Sequence, residues 1–408
     1  MITNDLNLKI KLISSMGLSL HRYGTNAYKL EEVLKQITTA LDMKGQFFST
    51  PTYLAISLKP NEDLSENEIT KHLRVIPGEA NLYKLQLLYE LANNICYDNI
   101  SVKEALIEVS NIENEKPLYG QPLMIFSFGL TSLAISLLLN GGFYDNIISF
   151  VLGLFVGVLN YFKSKNENLT NIFEFLSAIG VTSLSYIIFN YITVFNFHIV
   201  MISSLIVIIP GLSFTIAMIE LATQNLASGT ARLMGSLVDL LKLAFGIYIG
   251  LEISHHFFYK IDNLAALNNT SWAAPASVFL AAIGFTMIFN AKKSDFIWIL
   301  YSGVIAVSSI KIFHYLYTSV VATFLAAFTV AIISNIFSRL KNEPSIKILL
   351  PAIIFMVPGS LGLKGLNFLL NNDIMNGFTS GVQMFSVAIS IVAGLFFAST
   401  VLPPKKGL

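Results

Sequence analysis

Charged residues are sparse in the second two-thirds of this chain, and two sets of them follow matching landmarks. Glu220 and Arg232 stand twelve residues apart after Pro210-Gly211, and Lys364 and Asp373 stand nine apart after Pro358-Gly359. All four lie in apolar sequence, where a bilayer makes an unpaired charge cost roughly 3 kcal/mol or more. Such groups either pair with one another or meet a solute of complementary charge. A third reading, in which Arg232, Lys364 and Asp373 only anchor helix ends at a membrane interface, stays open. Asp239 and Lys242 are one helical turn apart and invite an i,i+3 pair. A titrating Asp239 that carries a coupled proton is the alternative, and Glu174 is the other candidate proton carrier. Glu252 and His255 share a helix face beside His256, but no third and fourth ligand lies near them, so no metal site is expected. No nucleophile–base pair or phosphate-binding loop suggests an enzyme, and no cofactor is expected. The single cysteine, Cys96, excludes an intrachain disulfide.

The elements that must hold these residues are membrane helices. The chain has 408 residues, 54% hydrophobic and 12% charged, with a mean hydropathy of +0.65. That charged share is about half the soluble-protein norm. Residues 1–117 carry 12 Lys+Arg and 15 Asp+Glu, and residues 118–408 carry 14 and 10. The division predicts a polar domain (1–117) and two membrane repeats (118–262 and 263–408). A helical span needs about 20 apolar residues. Ten are predicted, at 120–139, 143–162, 170–190, 195–211, 233–254, 272–290, 294–313, 317–337, 345–359 and 380–402. The fourth and ninth are short and end at Pro-Gly. The stretches after them, Leu212–Arg232 and Ser360–Thr379, read as short helices packed inside the protein, where broken backbone is tolerated.

The two Pro-Gly dipeptides are 148 residues apart, and the same offset pairs Leu221 with Leu369, Gly229 with Gly377 and Gly246 with Gly394. Five spans per half is an odd number, so the second half enters the bilayer from the opposite side. The fold class is therefore mainly α: two inverted five-helix repeats with Pro-Gly-broken helices, behind a small α+β domain. Matching breaks in two halves point to the binding site of an alternating-access carrier. Lysine and arginine counts set the orientation. Lys163, Lys165, Arg232, Lys292, Lys293, Arg339, Lys341, Lys405 and Lys406 fall on the side of residues 1–117, against Lys260, Lys364 and Lys311 opposite. Both termini and the polar domain are thus expected in the cytoplasm. The N-terminus carries no apolar signal segment. A net charge of +1 with no basic stripe argues against nucleic acid. Gly153 and Gly157 form a G-x-x-x-G that suits close helix packing within the chain or in a homo-oligomer.

In the polar domain, Leu8–Leu20, Thr25–Leu41, Asn81–Asn94 and Ser101–Ser110 carry helical patterning, the last with a capping box from Ser101 and Glu104. Gln46–Thr50 and Thr52–Lys59 read as two strands. His21, Arg22, Glu31 and Glu32 lie close in sequence without a catalytic spacing, so the domain reads as a docking or regulatory module.

YGTNAYKLEE (Tyr23–Glu32), STPTYLAISL and RVIPGEANLYKLQLLYEL (Arg74–Leu91) resemble the N-terminal part of the threonine/serine exporter family. IPGLSFTIAMIELATQNLASGTARLMGSL (Ile209–Leu237) resembles that family's most recognisable stretch, with Pro210, Gly211, Glu220, Gly229 and Arg232 in its Pro-Gly, acidic and small-Gly-x-x-Arg positions. VPGSLGLKGLNFLLNND (Val357–Asp373) resembles its second-half counterpart. There are departures. Thr25 and Asn26 replace Ala-Pro, Lys29 replaces Arg, Glu220 stands for the more frequent Asp, and Lys364 stands where Arg is expected.

The resemblance implies export of threonine and serine driven by the proton gradient, from a bacterial-type inner membrane. Such a zwitterion needs a cation or a helix N-terminus for its carboxylate, and carboxylates or free carbonyls for its amine. The expected substrate-binding set is Pro210, Gly211, Glu220, Asn225, Gly229, Arg232, Pro358, Gly359, Lys364 and Asp373. Within it Arg232 or Lys364 takes the carboxylate, and Glu220 or Asp373 takes the amine. Ser213, Thr215, Thr223, Asn225, Asn367 and Asn371 offer partners to a substrate hydroxyl. The alternative is a transporter or channel for another small solute, such as a dicarboxylate, another amino acid or a small peptide.

Overall fold

The computed structural model describes residues 2–61, 68–76, 78, 80–257, 273–341, 345–356, 359–370 and 373–403. Pro358, Asn371, Lys260, Lys405 and Lys406 lie outside these. The chain begins with α1 (Ile2–Arg22) and α2 (Ala27–Ala40). An antiparallel meander follows, β1 (Met43–Thr50), β2 (Tyr53–Pro60) and β3 (Ile69–Arg74), then α3 (Leu82–Cys96) and α4 (Val102–Asn114). Asn26, Asn81 and Ser101 each accept a hydrogen bond from the N–H three residues on and so start α2, α3 and α4. Ser101 and Glu104 complete the expected capping box.

The sheet has three strands where two were expected. β3 was not legible because most of its side chains, including Thr70, Lys71, His72 and Arg74, are exposed. An edge strand needs no apolar alternation, and its charges discourage further pairing. Leu12, Leu30, Leu34, Leu54, Ile56 and Leu88 form the centre of a core shared by these helices and strands.

The remaining elements are helices. They are α5 (Gln121–Leu138), α6 (Phe143–Lys163), the short α7 (Glu167–Thr170), α8 (Phe173–Tyr191), α9 (Phe197–Leu205), α10 (Gly211–Ala222), α11 (Leu226–Phe257), α12 (Ala273–Ile288), α13 (Phe296–Leu316), α14 (Ser319–Lys341), α15 (Ile346–Met356), α16 (Gly359–Leu370) and α17 (Ile374–Val401). Among the described residues, eight helical stretches are long and apolar enough to cross a membrane. One of them, Lys347–Phe368, runs through α15 and α16. Phe197–Ile208 and Gly211–Ala222 pass the same test together, bent by 57° at the first Pro-Gly. α12, the expected span at 272–290, is a shorter apolar helix of 16 residues.

The stretch Leu212–Arg232 is not a single helical unit. α10 stops at Ala222, Gln224 takes a left-handed φ of 64°, and α11 begins at Leu226. Arg232 therefore belongs to the long α11, whose 32 residues start well before the expected position 233.

The two sets of helices pack alike. α8 lies on α11 and α14 on α17, while α10 lies on α11 and α16 on α17. Across the sets α5 packs on α12, α10 touches α17 and α11 touches α16. The equivalent glycines sit at equivalent contacts. A Cβ on Gly246 would lie 2.7 Å from the Phe175 carbonyl oxygen of α8, and one on Gly394 would lie 2.6 Å from the Phe324 carbonyl oxygen of α14. Only glycine permits that approach of helix to helix.

Candidate functional site

The break at Pro210 sets two helix ends against each other. α10 starts at Gly211 and α16 at Gly359, and the two starts touch. A Cβ on Gly359 would lie 2.7 Å from Ile209 Cγ2 and 3.0 Å from Gly211 Cα. α10 has 12 residues, and its start at Gly211 presents the positive end of a peptide dipole, with Gly359 against it. These ends line a cavity of about 500 Å³, whose wall includes Pro210, Gly211, Ser213, Gly359 and Ser360. Arg232 and Asp239 of α11, Glu174 of α8, and Asn160 and Lys163 of α6 line it too. Much of the remaining wall is apolar, including Phe128, Ile135, Ile206, Phe285 and Phe355. Thr131 of α5 also lines the cavity, fully buried, and its hydroxyl has no hydrogen-bond partner.

Glu220 stands behind this wall rather than on it. It is fully buried and accepts four hydrogen bonds. Oε2 accepts from Arg232 Nε at 3.1 Å and Ser228 Oγ at 2.9 Å, and Oε1 from Arg232 Nη2 at 3.1 Å and the Ala27 N–H at 3.0 Å. The arginine contact is bidentate, the geometry a guanidinium is built for. The turn between α10 and α11 makes it reachable across twelve residues. The Asn225 N–H donates to the Glu220 carbonyl at 2.9 Å, and Asn225 Nδ2 donates to Thr223 Oγ1 at 3.2 Å. Gly229 closes the approach, since a Cβ there would lie 2.8 Å from Leu221 N.

The second carboxylate cluster is shared. Lys242 Nζ lies 3.1 Å from Asp239 Oδ1 and 3.4 Å from Glu174 Oε2, so one ammonium serves both candidate proton carriers and ties α11 to α8. The counterparts in the second half are dispersed. Lys364 is exposed on α16, while Asp373 caps α17, accepting from the Asn376 N–H at 3.3 Å. A buried pair there went unpredicted: Lys347 Nζ lies 3.3 Å from Asp295 Oδ1. His255 Nε2 shares a hydrogen bond of 2.6 Å with the Tyr186 hydroxyl.

The N-terminal domain reaches the cavity. Gly24, Gly78 and Ala80 form part of its wall. Ala27, the first residue of α2, donates to Glu220, and Leu82, the first residue of α3, donates to the Phe289 carbonyl beyond the end of α12 at 2.9 Å. Close by, His21 Nε2 bonds the Thr50 carbonyl at 2.7 Å. Burial holds the His21 pKa below its ordinary value, with the Thr50 carbonyl acting against the shift. Burial raises the Glu31 pKa, opposed by the Ser49 N–H and reinforced by the Glu220 charge. Nothing in the residue order marked Thr131, Lys163 or the Ala27 contact as parts of one region. A row of buried hydroxyls on α5 (Ser127, Thr131, Ser132, Ser136) was the available signal for the first.

Long apolar helices, a helix broken by 57° and a cavity at the break with charged side chains on a largely apolar wall define a multi-pass membrane protein built as a transporter. Residues 11–254 match the family model for threonine/serine exporters, and residues 275–401 match a second model described as "Threonine/Serine exporter, ThrE". The chain belongs to the threonine/serine exporter family. Pheromone-regulated membrane protein 10 of Candida glabrata is 26% identical to it, over 99% of this chain and 55% of the yeast protein. The protein of that name from Kluyveromyces lactis is also 26% identical, over 98% and 44%. Uncharacterized protein C7D4.12c of Schizosaccharomyces pombe is 24% identical, over 98% and 56%. The chain spans about half the length of these relatives. No solved structure matches it.

Proposed function

We propose that this chain is a secondary active transporter that exports small hydroxy amino acids, threonine and serine, in exchange for protons. The observation that carries this reading is one cavity that holds the start of α10 at Gly211, Gly359 packed against it, and the charged side chains of Arg232, Asp239 and Glu174. The positive dipole end of α10 at Gly211 and the Arg232 guanidinium suit a substrate carboxylate. Asp239 and Glu174 on the same wall suit its amine, and Ser213, Ser360 and Thr131 offer partners to its hydroxyl.

In this reading Glu220 holds the Arg232 guanidinium in place, and Asn225 and Gly229 shape the turn that joins them. The cluster of Asp239, Lys242 and Glu174 couples protons. Protonating Glu174 weakens its hold on Lys242 and loosens α8 from α11, while protonating Asp239 frees Lys242 for Glu174. Pro210 ends the helix that leads into the first break. The matched packing of the two helix sets supports an inverted repeat, in which the halves exchange roles and Lys364 and Asp373 act when the other side opens. The N-terminal domain is assigned to the cytoplasm from the placement of lysine and arginine.

Lys163 and Arg232 on one wall favour a second reading, a carrier for a dicarboxylate, whose two charges they would meet. The test is counterflow in liposomes under an imposed pH gradient with labelled threonine, serine and a dicarboxylate. Threonine or serine exchange that follows the gradient supports the first reading. Dicarboxylate exchange alone replaces it with the second.

A further inference from the structure

We infer that the N-terminal domain is the gate of the cavity on its own side of the protein, latched by the Ala27 N–H to Glu220. Three observations carry this. First, Gly24, Gly78 and Ala80 belong to the cavity wall, so the domain stands beside the helix breaks rather than apart from them. Second, two of its contacts with the helical region are hydrogen bonds from helix starts, made beside the packing of Leu82 with Ala134, Ala281 and Phe285 and the Lys292 ammonium over the Tyr83 ring. α2 donates its first N–H to the Glu220 carboxylate and α3 donates its first N–H to the Phe289 carbonyl, so it is held to both halves of the helical region. A helix N-terminus with its positive dipole end suits a carboxylate and a carbonyl, and each contact is a single bond. Third, Glu220 keeps three donors, two from Arg232 and one from Ser228, when Ala27 withdraws. The domain can therefore leave without stranding a buried charge, which a gate that opens repeatedly requires.

The geometry offers a substitution that removes the latch and little else. Ala27 is the first helical residue of α2, the position where proline is best tolerated, because its N–H has no partner within the helix. Asn26 before it is extended, with φ −70° and ψ 159°, as a residue preceding proline must be. Ala27→Pro deletes the donor and places a ring carbon toward Glu220 Oε1, while the Asn26 cap on Lys29 remains. Losing one hydrogen bond to a charged group shifts the closed-to-open ratio by about tenfold or more.

The reporter is Ser213→Cys in the cavity, in full-length protein carrying Cys96→Ser, probed with a membrane-impermeant maleimide from the side of the N-terminal domain. Ala27→Pro is expected to raise the labelling rate about tenfold or more. The closing arm is Leu82→Cys with Phe289→Cys, in which an oxidised cross-link slows labelling of the same reporter and reduction restores it. Labelling at the parental rate in an Ala27→Pro protein that elutes and melts like the parent would overturn the gate. So would a cross-linked protein labelled as fast as the reduced one, and this arm decides the matter if the proline variant does not fold. The inference rests on the transporter reading only for its purpose. Labelling needs no substrate, so a gate without counterflow sinks that reading, and counterflow without gated labelling sinks this one.

Discussion

At the first Pro-Gly the chain bends by 57° between α9 and α10, and the acid that follows, Glu220, is buried with four donors around it. Beyond the second, α16 carries an exposed Lys364, and Asp373 caps the next helix. Both helix starts meet the same cavity, yet only the first half lines it with charge. The difference shows that matched helix packing does not carry matched chemistry. Glycine contacts such as Gly246 on α8 and Gly394 on α14 are required by helix packing in both halves. The first half's buried pair holds Arg232 and the N-terminal domain, whereas the second half's, Lys347 with Asp295, ties α15 to the turn before α13.

The largest effect is expected from breaking the first half's pair. Glu220→Ala leaves Arg232 unpaired and the Ala27 N–H without an acceptor, a loss of about 3–5 kcal/mol that should appear as a lower melting temperature in detergent. Asp373→Ala, at the equivalent stretch of the second half, should cost about 1 kcal/mol as a lost helix cap. Equal losses would dissolve the contrast between the halves. Next comes the shared cluster: Asp239→Asn should abolish the drive from an imposed pH gradient while leaving counterflow, measured in the same liposomes. Gradient-driven transport that survives intact would make Asp239 a structural residue.

Gly359→Ala tests the place where the two halves are most alike. The added carbon collides with Ile209 and Gly211, so a cost of about 1–3 kcal/mol is expected, together with slower transport. A smaller change should follow pH. Because burial lowers the His21 pKa, the unfolded chain binds this proton more readily than the folded one. Stability of the N-terminal domain should therefore fall as pH drops below about 6.5, the ordinary histidine value, and His21→Gln should flatten that slope in a melting series. The smallest effects close the comparison. Gly235 in α11 and Gly381 in α17 have open space where a methyl group would stand, so alanine at either should stabilise by about 0.5–1 kcal/mol.

Much of this was legible in the residues. The capping box of Ser101 and Glu104, the helical patterning of the polar domain, most of the apolar spans and the helix break at the first Pro-Gly follow from local preferences and periodicity, which act over a few turns of chain. Glu220 and Arg232 were legible as a charged pair worth explaining. Their mutual bidentate contact was not, because it depends on Gln224 adopting a left-handed turn and Gly229 admitting α10 against α11. β3 was missed because an edge strand answers to its neighbour rather than to its own pattern.

By itself, then, the sequence determined that the chain is membrane-spanning helices behind a polar α+β domain, with a helix break at Pro210-Gly211. Hydrophobicity, glycine and proline act locally and leave their marks in order along the chain. Only the tertiary structure decided what the breaks meet. It set the starts of α10 and α16 against each other, moved Glu220 off the cavity wall and onto α2, and gave Lys242 two acids. Contacts made across 68 residues or 193 are fixed by packing, and no local preference records them.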